Sequence, residues 1–178
     1  AHAFLDELRS RVSLPFVDMV QETVEEAVRR VGPGGGVGIL ATTGTVESGL
    51  YAERIEKMGG RPISSLDLRH ENMDGRELQE KLVMEPIFGQ LVEGKRAGGG
   101  IKSGAFRDPV AKEELAQPLR RAAKLLAGAG AKLCITACTE IPLAIGRDSA
   151  EGVPLLDPMD VAARACVEIA LGKRPLPS

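Results

Sequence analysis

The residues best able to do chemistry lie in two short stretches. Cys138-Thr139-Glu140-Ile141-Pro142-Leu143 directly follows an apolar run at 133–137, so the thiol stands where a buried strand ends. Ligands of open α/β sheets bind outside the carboxyl ends of the strands, which puts Cys138 at the crevice, and helix N–H groups nearby would favour its thiolate. Position alone leaves a structural and a functional reading of this cysteine both open. The second stretch, Ala41-Thr42-Thr43-Gly44-Thr45, runs from a strand end into a helix start. Backbone N–H groups and hydroxyls there can hold a carboxylate or a phosphate, although Thr45 can equally be a plain N-cap.

Other motifs fail on spacing. Gly32, Gly34, Gly35, Gly36 and Gly38 suggest a dinucleotide fingerprint, but Val37 stands where the third glycine belongs and the cluster precedes a strand instead of following one. Lys102-Ser103 resembles a phosphate loop, yet Ile101 occupies the position that needs glycine. His2 and His70 are the two histidines and no CxxC pair exists, so no metal site is expected. Cys134 lies inside the apolar run, and Cys166 falls on a helical stripe with Ala162 and Ala170. Both are read as core cysteines.

The elements that must position Cys138 and the threonines alternate strand and helix. A stripe of Phe4, Leu5, Leu8 and Val12 gives an amphipathic first helix over 1–12, with no capping residue ahead of it. Apolar segments at 14–19, 37–41, 61–68, 133–137 and 153–156 have strand length. Helical spacing spans 21–31, the stretch through Leu50, Arg54 and Met58, 77–92, a segment opened by Asp108-Pro109, and one opened by Pro158 that ends near Gly172. Glycines at 32 and 34–36 mark a break, and 94–104 is a glycine-rich loop carrying Lys95, Arg96 and Lys102. The pattern implies an α/β fold, a parallel sheet with helices on both faces.

Composition narrows the function classes. The chain has 178 residues, 23 basic and 25 acidic side chains and a formal net charge of −2, which excludes a strongly basic nucleic-acid binder. Aromatic residues make up 3% and tryptophan is absent, which argues against a base-stacking platform. No apolar run approaches the ~20 residues of a membrane helix. Three cysteines do not form a disulfide framework, and nothing at the start reads as a signal peptide. A cytoplasmic setting is expected.

The chain resembles the aspartate/glutamate racemase family of cofactor-independent amino-acid racemases. Ala-Thr-Thr-Gly-Thr-Val-Glu-Ser-Gly-Leu-Tyr from Ala41 to Tyr51 is similar to the stretch opening the family's second domain. Cys138-Thr139-Glu140-Ile141-Pro142-Leu143 resembles its second catalytic-cysteine motif, Leu156-Asp157-Pro158-Met159-Asp160 its C-terminal return, and Leu14-Pro15-Phe16-Val17-Asp18-Met19 its linker. The resemblance implies two pseudo-equivalent α/β domains with one cysteine from each at a shared site, no cofactor, a small amino-acid substrate, and a homodimer in the full-length form. The first cysteine usually sits in a Pro-Cys-Asn-Thr-Ala-His type stretch, of which Ala1-His2 looks like the end. On this reading residues 1–34 and 150–178 are the remnant of an incomplete first domain, and 35–149 are a whole second domain.

Carried over by motif, Cys138 is the second acid/base. Thr139 with Thr43 or Thr45 would bind the substrate α-carboxylate, and Glu140 would contact the ammonium, orient Cys138 or merely cap a helix. Lys102, in a stretch resembling one whose lysine binds the aspartate side-chain carboxylate, would bind that group, with Lys95 competing, and His2 would fall near the first cysteine. Two other functions compete: a single-cysteine enzyme of the arylmalonate-decarboxylase kind, and a non-catalytic dicarboxylate-binding module.

Overall fold

A computed structural model describes residues 5–177; the expected stripe residue Phe4 and the candidate His2 lie outside them. The chain runs through α1 (Leu5–Arg11), α2 (Met19–Val31), β1 (Gly36–Leu40), α3 (Thr43–Glu47), α4 (Ala52–Lys57), β2 (Arg61–Ser64) and α5 (Gly75–Gln79). A π-helical stretch, Glu80–Met84, joins α5 to α6 (Glu85–Phe88). Then follow β3 (Leu91–Val92), β4 (Lys95–Arg96), α7 (Pro109–Gly128), β5 (Ala131–Thr136), α8 (Ile141–Ile145), β6 (Ser149–Ala150), β7 (Val153–Leu156) and α9 (Pro158–Ala170).

The strands order as β2-β1-β5-β7-β6 in one five-stranded sheet. β1 is parallel to β2 and β5, and β5 to β7, while the short β6 turns back antiparallel on β7. Helices cover both faces, so the strands carry apolar side chains on alternate sides without a polar face. Val37, Ile39, Leu133, Ile135 and Leu156 pack with Val20, Val24, Ala27, Val28 and Val31 of α2, Ile55 of α4 and Val161 of α9. Leu40, Cys134, Val153 and Leu155 face the other way, onto Leu82, Val83 and Ile87 of the α5–α6 segment, Leu119, Ala123 and Leu126 of α7, and Ile141 and Ile145 of α8. Segments 19–31 and 153–170 therefore lie on or in the same sheet as 36–136.

The glycine break at 32–36 has a steric cause. A Cβ at Gly36 would meet the Gly130 carbonyl oxygen at 2.1 Å, so β1 enters beside β5 only with hydrogen there.

Several expected elements differ. The 14–19 stretch is no strand; Asp18 caps α2, its Oδ1 accepting from the Val20 and Gln21 N–H groups at 3.1 Å each. The third strand stops at Ser64, where the Ser64–Asp67 capping box turns the chain into a 3₁₀ turn. The helix expected over 77–92 ends at Phe88, because Gly89 at φ 89° breaks it, and Leu91 and Val92 pair with Lys95 and Arg96 in a hairpin. Leu8 and Val12, expected in a buried stripe, are 42% and 43% exposed. α9 buries Val161 and Ala165, so Cys166 lies one position round from that face and is exposed. That corrects its reading as core.

Candidate functional site

The site forms where β1 and β5, neighbours in the sheet, release their chains at the same edge. The Ala137 N–H donates to the Leu40 carbonyl at 2.8 Å, and Thr136 Oγ1 donates to the Leu156 carbonyl at 3.3 Å. These bonds hold the Cys138 loop between the ends of β1 and β7. The Cys138 thiol is half-buried and donates to Glu140 Oε2 at 3.1 Å. Thr139 Oγ1 donates to the same oxygen at 2.8 Å. Glu140 makes no side-chain cap to α8, so its carboxylate serves the cysteine and the threonine and not the helix.

This arrangement fixes the protonation of the thiol, and against expectation. Burial first, then the hydrogen bond and negative charge of Glu140, push Cys138 up to about 12, with the Glu140 backbone N–H and the charge of Lys102 pulling the other way. Free Cys138 is therefore a thiol and not the thiolate that helix N–H groups were expected to favour: burial, and after it a carboxylate two residues away, outweigh them. Burial opposes charge on Glu140 as well, but the bonds from Cys138 and Thr139 and the Lys102 charge hold its carboxyl below the usual range.

The lysines separate. Lys102 is exposed, its ammonium 5.0 Å from the centre of the Phe88 ring, and its charge is felt at both Cys138 and Glu140. Lys95 sits in the exposed hairpin and is not among the charges acting on either group. Thr43 and Thr45 are half-buried. The Thr43 N–H points at Met84 Sδ, 3.3 Å away, and Thr45 Oγ1 lies 3.1 Å from Thr42 Oγ1. The N-cap of α3 is Thr42, so Thr45 is not the cap that the sequence allowed.

A cavity of about 70 Å³ opens beside Cys138, bordered by Met19, Tyr51, Thr136, Thr139, Asp157 and Met159 among others. Thr43, Thr45, Lys102 and Glu140 do not line it; Thr43 and Thr45 follow the end of β1, Glu140 follows the end of β5, and Lys102 comes from the turn at Ile101–Ser103. Tyr51 is 4% exposed, and burial holds its phenol neutral, far above the ordinary value. Asp157 caps α9 through the Met159 N–H at 2.9 Å, and Asp18 pairs with Arg54 at 3.0 Å. Tyr51 and Asp157 were quoted in motifs without a role; that Tyr51 is the chain's single tyrosine was the signal available. Among the described residues no cluster of three or more His, Cys, Asp or Glu could hold a metal ion, and no helix is long and apolar enough to cross a membrane.

The three thiols are free and differ in access: Cys134 buried, Cys138 half-buried, Cys166 exposed. Burial also pushes Cys134 up to about 12. Limiting iodoacetamide at pH 8 is expected to label Cys166 first, Cys138 next and Cys134 last, as peptide mapping by mass spectrometry would read. Cys138 labelled ahead of Cys166 would mean that its thiolate is accessible and the Glu140 contact is not formed in solution.

Residues 1–85 match the Asp/Glu/hydantoin racemase family. The chain is 25% identical to an aspartate racemase homologue from Pyrococcus horikoshii OT3 and superposes on it with a TM-score of 0.66, over 96% of this chain and 62% of that one. Over its first 85 residues the chain is similar to the Asp/Glu/hydantoin racemases. Its fold is shared with a Yersinia pestis protein classed as an Asp/Glu racemase (24% identity, TM-score 0.67, 96% and 62% covered). It is shared too with a glutamate racemase isoform from Bacillus anthracis (16%, 0.60, 100% and 57%). The chain thus spans 62% of the length of the first two of these racemase-family structures. The family match ends at residue 85, so around Cys138 the likeness is one of fold.

Proposed function

We propose that the chain carries proton-transfer chemistry of an amino-acid racemase acting on aspartate or glutamate without a cofactor, with Cys138 as an acid/base. The observation that carries this reading is the Cys138 thiol at the carboxyl end of β5, hydrogen-bonded to Glu140, in a fold shared with racemases. Inverting an α-carbon requires one group to take the proton from one face and another to return one to the opposite face. A group held as a thiol is the donor of such a pair. A bound ammonium and a closer Lys102 would each lower its pKa and let it act as the base in the reverse direction. Thr139, Thr43 and Thr45 would hold the α-carboxylate and Lys102 the side-chain carboxylate, while Glu140 sets the thiol's proton. Among the described residues Cys134 is sealed in the sheet and Cys166 lies on the outer side of α9, so neither serves the opposite face. The free thiols agree with a reducing cytoplasm.

Calorimetry tests the substrate class. L-aspartate and L-glutamate should bind saturably, and Lys102→Ala should weaken both by about tenfold, the worth of one charge-assisted bond at an exposed site, while L-alanine is unaffected. Equal losses for all three amino acids would remove Lys102 from the site, and no binding of either acidic amino acid would remove the substrate assignment.

One observation favours a second reading: Cys138 is protonated and is the one cysteine at the crevice among the described residues. A lone thiol that protonates an enediolate needs no partner, as in a decarboxylase of arylmalonates. Release of carbon dioxide from phenylmalonate would select it.

A further inference from the structure

Gln79 is 2% exposed and its Nε2 donates to the Ala41 carbonyl at 2.8 Å. Five residues on, Met84 Sδ accepts the Thr43 N–H at 3.3 Å. One helical segment thus takes an acceptor and a donor of the same turn, the one between β1 and α3. On a regular α-helix, positions five apart point about 140° from each other and would not reach one turn together. The π-helical stretch Glu80–Met84 lies between them, and its wider i→i+5 winding brings such positions towards one face.

The cost of this device is visible. Gln79 Oε1 is the one buried side-chain oxygen or nitrogen without a hydrogen-bond partner among the described residues. A leucine or methionine would fill the place without an orphaned acceptor, so the benefit of the amide lies in the bond to Ala41. That bond acts beside the Leu40 carbonyl, which the chain just ahead of Cys138 already holds. The two loops of the site are pinned at adjacent residues of β1's end.

We propose that the π-helical segment is the mount of the 41–45 turn, with Gln79 a positioning residue that fixes the Ala41 carbonyl. Met84 Sδ is the weak acceptor that holds the Thr43 N–H until a ligand carboxylate oxygen takes it. This rests on the reading of the turn as a carboxylate holder. A thioether is a poor acceptor and a carboxylate a strong, charged one, so the exchange of partners at Thr43 favours the ligand.

Two substitutions in the full 178-residue chain should act with opposite signs. Gln79→Met removes the pinning donor; L-aspartate affinity should fall about tenfold, the scale of one hydrogen bond, and amide hydrogen exchange at Thr43 in the free chain should quicken by a similar factor. Met84→Leu removes the competing acceptor. Affinity should hold or rise by up to about threefold, and the free-state Thr43 amide resonance should move while its ligand-bound position does not. A merely structural role would weaken binding in both variants. Nitrogen-15 correlation spectra titrated with L-aspartate read all of these. The proposal is overturned if Gln79→Met leaves affinity and Thr43 exchange unchanged, or if Met84→Leu weakens binding as Gln79→Met does. If Gln79→Met does not fold, Met84→Leu alone decides by the same criterion. If the unaltered chain binds neither aspartate, glutamate nor malonate, the carboxylate reading fails, and the mount stands or falls on Thr43 exchange in Gln79→Met.

Discussion

Cys138→Ala should abolish solvent hydrogen exchange at the α-carbon of bound aspartate or glutamate, a loss on the order of 10²- to 10⁴-fold for removal of a positioned acid/base. Affinity should change by less than about threefold, since the thiol donates to Glu140 and not to the carboxylate holders. Proton magnetic resonance of the Hα signal in deuterated buffer measures the first quantity and calorimetry the second. Lost exchange with lost binding would make Cys138 a binding or structural residue; unchanged exchange would take it out of the chemistry.

Glu140→Gln should do the reverse at fixed pH. One cause that raises Cys138, the carboxylate charge, disappears and the S–H bond is left to a weaker, neutral amide oxygen, while burial stays. The thiol should therefore titrate below about 12 but above its ordinary 9.0. Each unit of that fall multiplies the thiolate present at pH 8 by about ten, so alkylation of Cys138 and α-proton exchange should both accelerate by about tenfold or more. An unchanged alkylation rate would show that Glu140 does not hold the proton. The stability consequence has a definite sign. Folded Cys138 and Cys134 bind their protons more tightly than ordinary thiols, so stability is lost as pH rises from about 9 towards about 12. Glu140→Gln should narrow the part of that loss due to Cys138.

The parts of this account legible in the sequence are those where one interaction dominates. The strands at 131–136 and 153–156 read as apolar runs because helices cover both faces of the sheet. α7 and α9 announce themselves by Asp-Pro pairs, whose aspartates accept the first helical N–H groups. Cys138 was legible from its place after β5. Its protonation was not, because only the structure says how deeply the thiol is buried and that Glu140 Oε2 reaches it. Cys166 was misread because a stripe of Ala162, Cys166 and Ala170 differs by one step from the stripe that α9 buries. The π-helical stretch left no mark in the periodicity, and so neither Gln79 nor Met84 was marked for the site. Gly36 reads in the sequence only as part of a break, whereas in the fold it permits a backbone approach that no side chain could share.

Exchange of a proton between Cys138 and the α-carbon of an acidic amino acid would leave an isotopic record. Its most direct test incubates the 178-residue chain with L-aspartate or L-glutamate in deuterated water near pH 10, where more of the thiol is ionised, and reads deuterium by mass and configuration by chiral chromatography. Because one cysteine faces the crevice among the described residues, deuterium should enter at the α-carbon with the L configuration kept, at a rate that rises with pH, and should not enter in Cys138→Ala. Deuterium incorporated equally in Cys138→Ala, or a D enantiomer formed as fast as deuterium enters, would contradict it.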